Sequence, residues 1–433
     1  MGSTTSGARL AGAAASAIVA AMPALLRRPF FAVLLIGLAA QLLFSINLTR
    51  PSKLMFDEVH YVPAARTLLA LERPVNIEHP PLAKELIATG IAIFGDNALG
   101  WRAMSTLAGT ATVLGVFAIL FLLFGSGRTA AFGAGFAMLN FTLFIQARIA
   151  MLDGFLGAYV TLGIASLLWA MRAPPERTVR RWVLGAALLG LATAVKWTAA
   201  PYVAFAALAF IAIRAHRKDL WPGLGTSRGV LLLGVVSIAV YFVTFLPAFF
   251  YASEPLSLRT LLPFQWEMYQ RQTQVLPPHP YQSGWQSWPL MIRPIWYLYE
   301  PVDGAVRGVL LLGNPAIMWG GLIAVALLGW DWWKRGTRIA GAVALLWVAS
   351  LAIWAVIPKS LGFYYYYHLS GIWLCIALST AFHLHGTGKR ARWIEWYALG
   401  CLALFVHFYP IISAAALPLA AGAARALVAG GHP

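Results

Sequence analysis

Long apolar runs recur along this chain, near residues 29–47, 99–123, 129–147, 153–171, 183–197, 199–213, 228–250, 305–329, 339–357, 363–382 and 393–413. They are continuous rather than alternating. With no water in a bilayer core, backbone donors and acceptors must be satisfied within each segment, so these spans are helical. A hydrocarbon layer about 30 Å thick takes roughly 20 residues per crossing, which predicts an all-α polytopic membrane protein with about eleven transmembrane helices. Of the 433 residues, 60% are hydrophobic and 11% charged, against about 25% charged in an ordinary soluble domain. A large soluble enzyme is excluded.

A net charge of +17 would suggest nucleic acid on a soluble protein. Here the basic residues sit mostly in short breaks between apolar runs, as in "RAPPERTVRRW" and "RAHRKDLWPGLGTSR". Such clusters orient helices and meet anionic headgroups. The two cysteines, Cys375 and Cys401, both fall inside apolar runs, so no disulfide framework is expected. With residues 1–28 in the cytoplasm, more of the basic residues fall inside and most acidic ones outside, among them Asp57, Glu58, Asp153 and Glu267. Acidic side chains contribute little to topology, so their gathering on one face points to chemistry. Within the N-terminal segment, "LAGAAASAIVAAMPALL" (10–26) reads as an interfacial helix rather than a signal region. Residues 29–433 then form one membrane domain with two long external loops, 48–98 and 251–304.

The first loop opens with "KLMFDEVHYVPAARTLL". If 56–70 is helical, Asp57, His60 and Tyr61 share a face at i, i+3 and i+4, while Glu58 points about 100° away. A half-buried carboxylate there can act as general base toward an alcohol; a solvated acidic pair is the plainer alternative. Farther on, "NIEHPPLAKELI" puts His79 ahead of a helix whose first turn takes Pro80 and Pro81. Lys84 then either snorkels from an interfacial helix or meets a substrate. Arg148 and Asp153 lie at the external ends of the third and fourth spans, and Lys196 interrupts "ATAVKWTAAPY". An ionisable group at a helix centre costs at least roughly 2.5–3.5 kcal/mol, so it faces a partner or a wet cavity. Lys196 either pairs with Asp153 or joins Arg148 as a cationic seat for a lipid-linked phosphate. The second loop carries "HPYQSGWQSWPLMIRPIWY", whose His279, Gln282 and Arg293 exceed what an interfacial aromatic belt needs. "GFYYYYHLSG" adds four successive tyrosines and His368.

Taken in order, "FDEVHY", "HPPLAKELI", "RIAMLDGFL", "AVKWTAAPY", "HPYQSGWQSWPLMIRPIWY", "LLGNPAIMW" and "GFYYYYH" resemble the protein O-mannosyltransferase family over about residues 50–370. The resemblance implies the GT-C membrane glycosyltransferase fold, in a short bacterial-type form without the MIR module. It implies inverting transfer of mannose from polyprenyl-phosphate mannose to Ser or Thr hydroxyls of exported proteins, in a bacterial inner membrane with the site facing outward. It casts Asp57 as catalytic base with Glu58 as its catalytic neighbour, and Arg148 and Lys196 as binders of the donor phosphate. His60, Tyr61, His79, Lys84, Asp153, His279, Tyr281, Gln282, Trp288, Arg293, Tyr365 and His368 are the candidate substrate-binding residues. No cofactor is expected. A divalent cation is possible but not required, because the leaving phosphate already carries charge. The expected partners are the lipid-linked donor, a Ser/Thr-containing polypeptide and the bilayer.

The alternative is a GT-C transferase that uses a lipid-linked sugar to decorate lipid A, a glycan or another lipid. A transporter fits less well, since paired halves and broken mid-membrane helices are not evident in the sequence.

Overall fold

The computed structural model describes residues 29–417; the expected cytoplasmic segment 1–28 lies outside the described residues. The described chain begins with α1 (Pro29–Ser45), followed in the first long loop by α2 (Glu58–Leu69) and α3 (Leu82–Phe94). A compact helical bundle follows: α4 (Ala98–Phe124), α5 (Gly127–Leu139), α6 (Phe141–Gln146), α7 (Leu152–Met171), α8 (Pro175–Val195), α9 (Ala200–His216) and α10 (Thr226–Val243). The second long loop contains α11 (Leu261–Thr273) and the strand β1 (Ile295–Val302), and β2 (Ala305–Leu311) follows it. The remaining helices are α12 (Pro315–Arg335), α13 (Arg338–Ala352), α14 (His368–His385) and α15 (Trp393–Ile412), and β3 (Ala416–Leu417) closes the described chain. Among the described residues nine helical stretches are long and apolar enough to cross a membrane, and Phe30–Ser45 is a shorter apolar helix.

Helix packing follows the rule that small residues let membrane helices approach closely. A Cβ on Gly190 of α8 would come within 2.5 Å of the Ser237 carbonyl on α10, and Ser237 Oγ donates to Ala186 O at 2.8 Å. The run 129–147 is not one helix. Asn140 ends α5 and caps α6, accepting from Thr142 N at 3.1 Å and from Thr142 Oγ1 at 2.8 Å.

The expected span at 305–329 is corrected by the structure. Its first residues form β2, antiparallel to β1 with Val302 opposite Ala305 and Ile295 opposite Leu311. The reason lies in the two-residue turn Asp303–Gly304, which adopts φ of 50° and 73°; a hairpin turn of this twist requires positive φ at both positions, which Asp-Gly supplies. The helix starts only at Pro315, after Asn314 accepts from Ala316 N at 3.2 Å. Asp303 also binds the first long loop, accepting from Ser52 N at 3.0 Å and Ser52 Oγ at 2.5 Å. The two long loops are thereby joined at one end of the bundle.

Candidate active site

At that end α2 begins, and Asp57 is its N-cap. The residue before it, Phe56, holds φ at 48°, a left-handed conformation that costs a non-glycine residue about 1–3 kcal/mol. Its ring is held on both sides: it stacks on Tyr297 at 4.0 Å and meets Tyr365 edge-on at 5.9 Å. The Asp57 carboxylate does not cap its own helix and is left without a side-chain hydrogen bond among the described residues. Burial pushes its pKa up to about 6; Asp153 adds to the rise, and His60 and Lys196 oppose it. A carboxylate poised near neutrality suits a general base.

Glu58, its neighbour, is committed elsewhere. Arg102 of α4 donates from Nε to Glu58 Oε1 at 2.7 Å and from its second terminal nitrogen to Oε2 at 2.7 Å. The other guanidinium protons reach Leu48 O, Pro51 O and Lys53 O at 3.2, 2.7 and 3.0 Å. Met55 N and Ala150 N complete the carboxylate at 3.0 and 2.9 Å. Both side chains are fully buried. With every donor and lone pair used, Glu58 has nothing left for a substrate. It anchors the start of α2 and so positions Asp57. Arg102 went unread in the sequence, although a lone arginine in the first turn of an apolar run is a recognisable signal.

Lys196 lies where α8 ends, its backbone extended at φ −159° and ψ 131°. Its ammonium bonds both oxygens of Asp153, at 2.9 and 3.1 Å, and stands 4.7 Å from the Tyr366 ring centre and 5.4 Å from that of Tyr365. The pairing alternative therefore holds, and the charges of both partners act on Asp57. Arg148 does not join them. Its guanidinium donates to Phe44 O at 2.8 Å and Ser413 O at 3.5 Å and lies over the Phe144 ring. The Arg148–Lys196 seat expected from the sequence is not assembled; Arg148 ties the ends of α1 and α15 together.

His60 and Tyr61 neighbour Asp57, and the Tyr61 ring lies 6.2 Å from that of His79. Burial and the Asp57 and Asp153 charges push the Tyr61 phenol well up. The same effects act on Tyr297, whose oxygen accepts from Gln146 Nε2 at 3.1 Å; Tyr297 was not singled out in the sequence. Burial, with Lys196, Lys359 and Lys84 nearby, holds His79 well below the ordinary imidazole range, so the ring is neutral. Its Nδ1 lies 2.9 Å from the amide nitrogen of Gln272, which can only donate. Lys84 donates to Asn76 O and His79 O at 2.7 and 2.8 Å. Lys84 therefore staples the 76–79 turn rather than reaching a substrate, and burial lowers its pKa to about 8. His368 is buried behind the pair, with both ring nitrogens lacking a hydrogen-bond partner.

The residues of the second loop mostly brace one another. His279 Nδ1 accepts from Tyr281 N at 3.1 Å, Gln282 Oε1 from His279 N at 3.1 Å, and Arg293 donates to Pro280 O at 2.7 Å. Trp288 is buried, its indole N–H on Ser283 Oγ at 3.0 Å. This self-held loop meets the tyrosine segment through His279 edge-on to Phe363 at 5.2 Å. Arg293 and Gln282 spend their hydrogen bonds on the loop itself. An open trough of about 570 Å³, lined in part by Glu78, Glu254, Glu267 and Arg271, lies on the same outer surface. No cluster of three His, Cys, Asp or Glu side chains suited to a metal occurs among the described residues.

The fold is that of GT-C glycosyltransferases. A S. cerevisiae protein O-mannosyltransferase complex, solved bound to the sugar donor, superposes with a TM-score of 0.76 at 13% identity, covering 88% of this chain and 90% of that one. ArnT from Cupriavidus metallidurans, bound to undecaprenyl phosphate, gives 0.57 at 16% identity over 92% and 72%. In sequence, the polyprenol-phosphate-mannose–protein mannosyltransferase of Mycobacterium tuberculosis is 29% identical across 85% of this chain and 84% of its own length. That of Corynebacterium glutamicum is 25% identical over 77% and 78%. The model of the C-terminal four-TMM region of protein-O-mannosyltransferase matches residues 257–426. The family model for dolichyl-phosphate-mannose-protein mannosyltransferase matches residues 34–253, half of the chain, and the chain belongs to that family.

Proposed function

We propose that this protein transfers mannose from polyprenyl-phosphate mannose to a Ser or Thr hydroxyl of an exported polypeptide, inverting the anomeric centre. The observation that carries the reading is the contrast within one acidic pair. Glu58 is saturated by Arg102, while Asp57 stands free, tuned to about 6, within the field of Lys196. The names of the bacterial relatives support the substrate class.

In the step, the acceptor oxygen attacks the anomeric carbon from the side opposite the phosphate, and its proton passes to Asp57. The bond from that carbon to the phosphate oxygen breaks, and its electron pair stays on the lipid phosphate. The phosphate charge rises from one to two, which a fixed cation stabilises more strongly in the transition state than in the ground state. Nothing in this sequence of events calls for a metal ion.

The distribution of charge supports an outward-facing site. Arg128, Arg335, Lys389, Arg390 and Arg392 lie at the end of the bundle opposite Asp57, among residues that include Asp331, His385 and Glu395. A basic end faces the cytoplasm. Purified protein in liposomes, given polyprenyl-phosphate mannose and a Ser/Thr peptide, should yield peptide heavier by one hexose. Hexose appearing on lipid A or another lipid instead, with the peptide unmodified, would overturn the assignment of acceptor.

A further inference from the structure

The donor phosphate needs a positive charge that is not already matched, and Lys196 supplies little of it alone. Both oxygens of Asp153 hold its ammonium. Arg148, Lys84 and Arg293 point their donors at backbone carbonyls. Lys359 is different. It is half-buried on the segment between α13 and the tyrosine run, yet its ammonium shows no hydrogen bond or ion pair among the described residues. Glu78, whose charge reaches it, forms no ion pair with it.

The backbone that carries Lys359 is fixed. Ser360 Oγ donates to Gln274 O at 2.9 Å and accepts from Leu276 N at 3.4 Å. Ser283 N donates to Gly362 O at 2.8 Å. A Cβ on Gly362 would lie 2.6 Å from Ser283 O, so only glycine lets the two strands of chain press together there. Phe363 then stacks on Tyr365 at 5.4 Å, and Tyr365 and Tyr366 face the Lys196 ammonium. The segment is thus tied down between Lys359 and the tyrosines that meet Lys196.

We propose that Lys359 binds the phosphate of the lipid-linked donor beside Lys196, an assignment that rests on the donor reading above. Lys359 lies seven residues before Tyr366, whose ring the Lys196 ammonium meets at 4.7 Å, and the charges of both lysines act on His79. Lys196 already has Asp153 as its counter-ion, whereas Lys359 has no bonded acid, so an anion entering beside Lys359 meets a positive charge that is not yet matched. Burial and Lys196 bring Lys359 down to about 8, with Glu78 opposing. A bound phosphate would restore its full charge. His79 is neutral and contributes no competing charge.

The test measures binding of undecaprenyl phosphate, and of undecaprenol as the uncharged control, to the full chain in detergent. Lys359→Ala should weaken undecaprenyl phosphate binding at least tenfold and leave undecaprenol unchanged. Lys359→Arg should retain the affinity and carry it past pH 8, where the unaltered protein loses it. Lys389→Ala, an exposed lysine at the far end of the bundle, should bind as the unaltered protein does. Equal phosphate affinity in Lys359→Ala and the unaltered protein overturns the assignment, as does a matching loss of undecaprenol binding. No phosphate-dependent binding by the unaltered protein would remove the donor reading itself.

Discussion

Lys196 and Asp153 meet at 2.9 and 3.1 Å, both all but sealed from solvent, at the point where α8 breaks and α7 begins. The pair acts on the base in two opposed ways: Lys196 lowers the Asp57 pKa and Asp153 raises it. Asp153→Asn removes the raising charge and frees the lowering one. The acidic limb of the rate profile should therefore move to lower pH, read from initial rates between pH 4.5 and 8 (working range about these values).

Asp57→Asn should abolish turnover, a loss of at least about 10²–10⁴-fold for a general base, while undecaprenyl phosphate still binds. In the unaltered protein the rate should fall as pH drops through about 6, where Asp57 takes up its proton. Hexose transfer to a peptide, set beside lipid binding, separates the two effects.

The same substitution carries a stability prediction. The folded pKa of Asp57 is above its ordinary value of 3.8, so folding binds the proton and the ionised form is penalised above about pH 6. Asp57→Asn should raise the unfolding temperature in detergent at pH 7. The gain should shrink as pH falls and vanish below 3.8, where both forms are neutral.

Arg102→Met leaves the Glu58 carboxylate buried with only two backbone N–H partners. Breaking a buried pair this way costs about 3–5 kcal/mol. The Glu58→Gln, Arg102→Met double variant should recover part of that loss, measured by thermal unfolding.

Arg148→Gln should lower stability through the lost links to Phe44 O and Ser413 O. Its donor KM should stay within about twofold, because a neutral isostere removed from a structural contact changes folding rather than uniform substrate binding. A donor KM raised tenfold would restore Arg148 to the phosphate site.

The helical spans were legible because a bilayer demands long apolar runs, and Asp57 and Lys196 because ionisable groups in such surroundings have few excuses. Arg148 was misplaced for a definite reason. A sequence shows where a donor is but not which carbonyls the fold brings to it, and Phe44 and Ser413 are far from Arg148 along the chain. The hairpin was hidden by composition: "AVRGVLLLG" is apolar enough to pass for the start of a span, although the preceding Asp-Gly marks a tight turn. Tyr297 could not be read from its neighbours, since its nearness to Asp57 depends on the bend that β1 and β2 impose.

Surface contacts such as Arg66–Asp96, each side chain about half open to solvent, weaken as dissolved ions crowd within a Debye length of about 8 Å at physiological salt. The Arg102–Glu58 clasp has no water around it for ions to occupy. The foundation beneath Asp57 is thus insulated from the ionic composition of the surrounding medium, so changes in salt that loosen the surface contacts leave the position of the base unchanged.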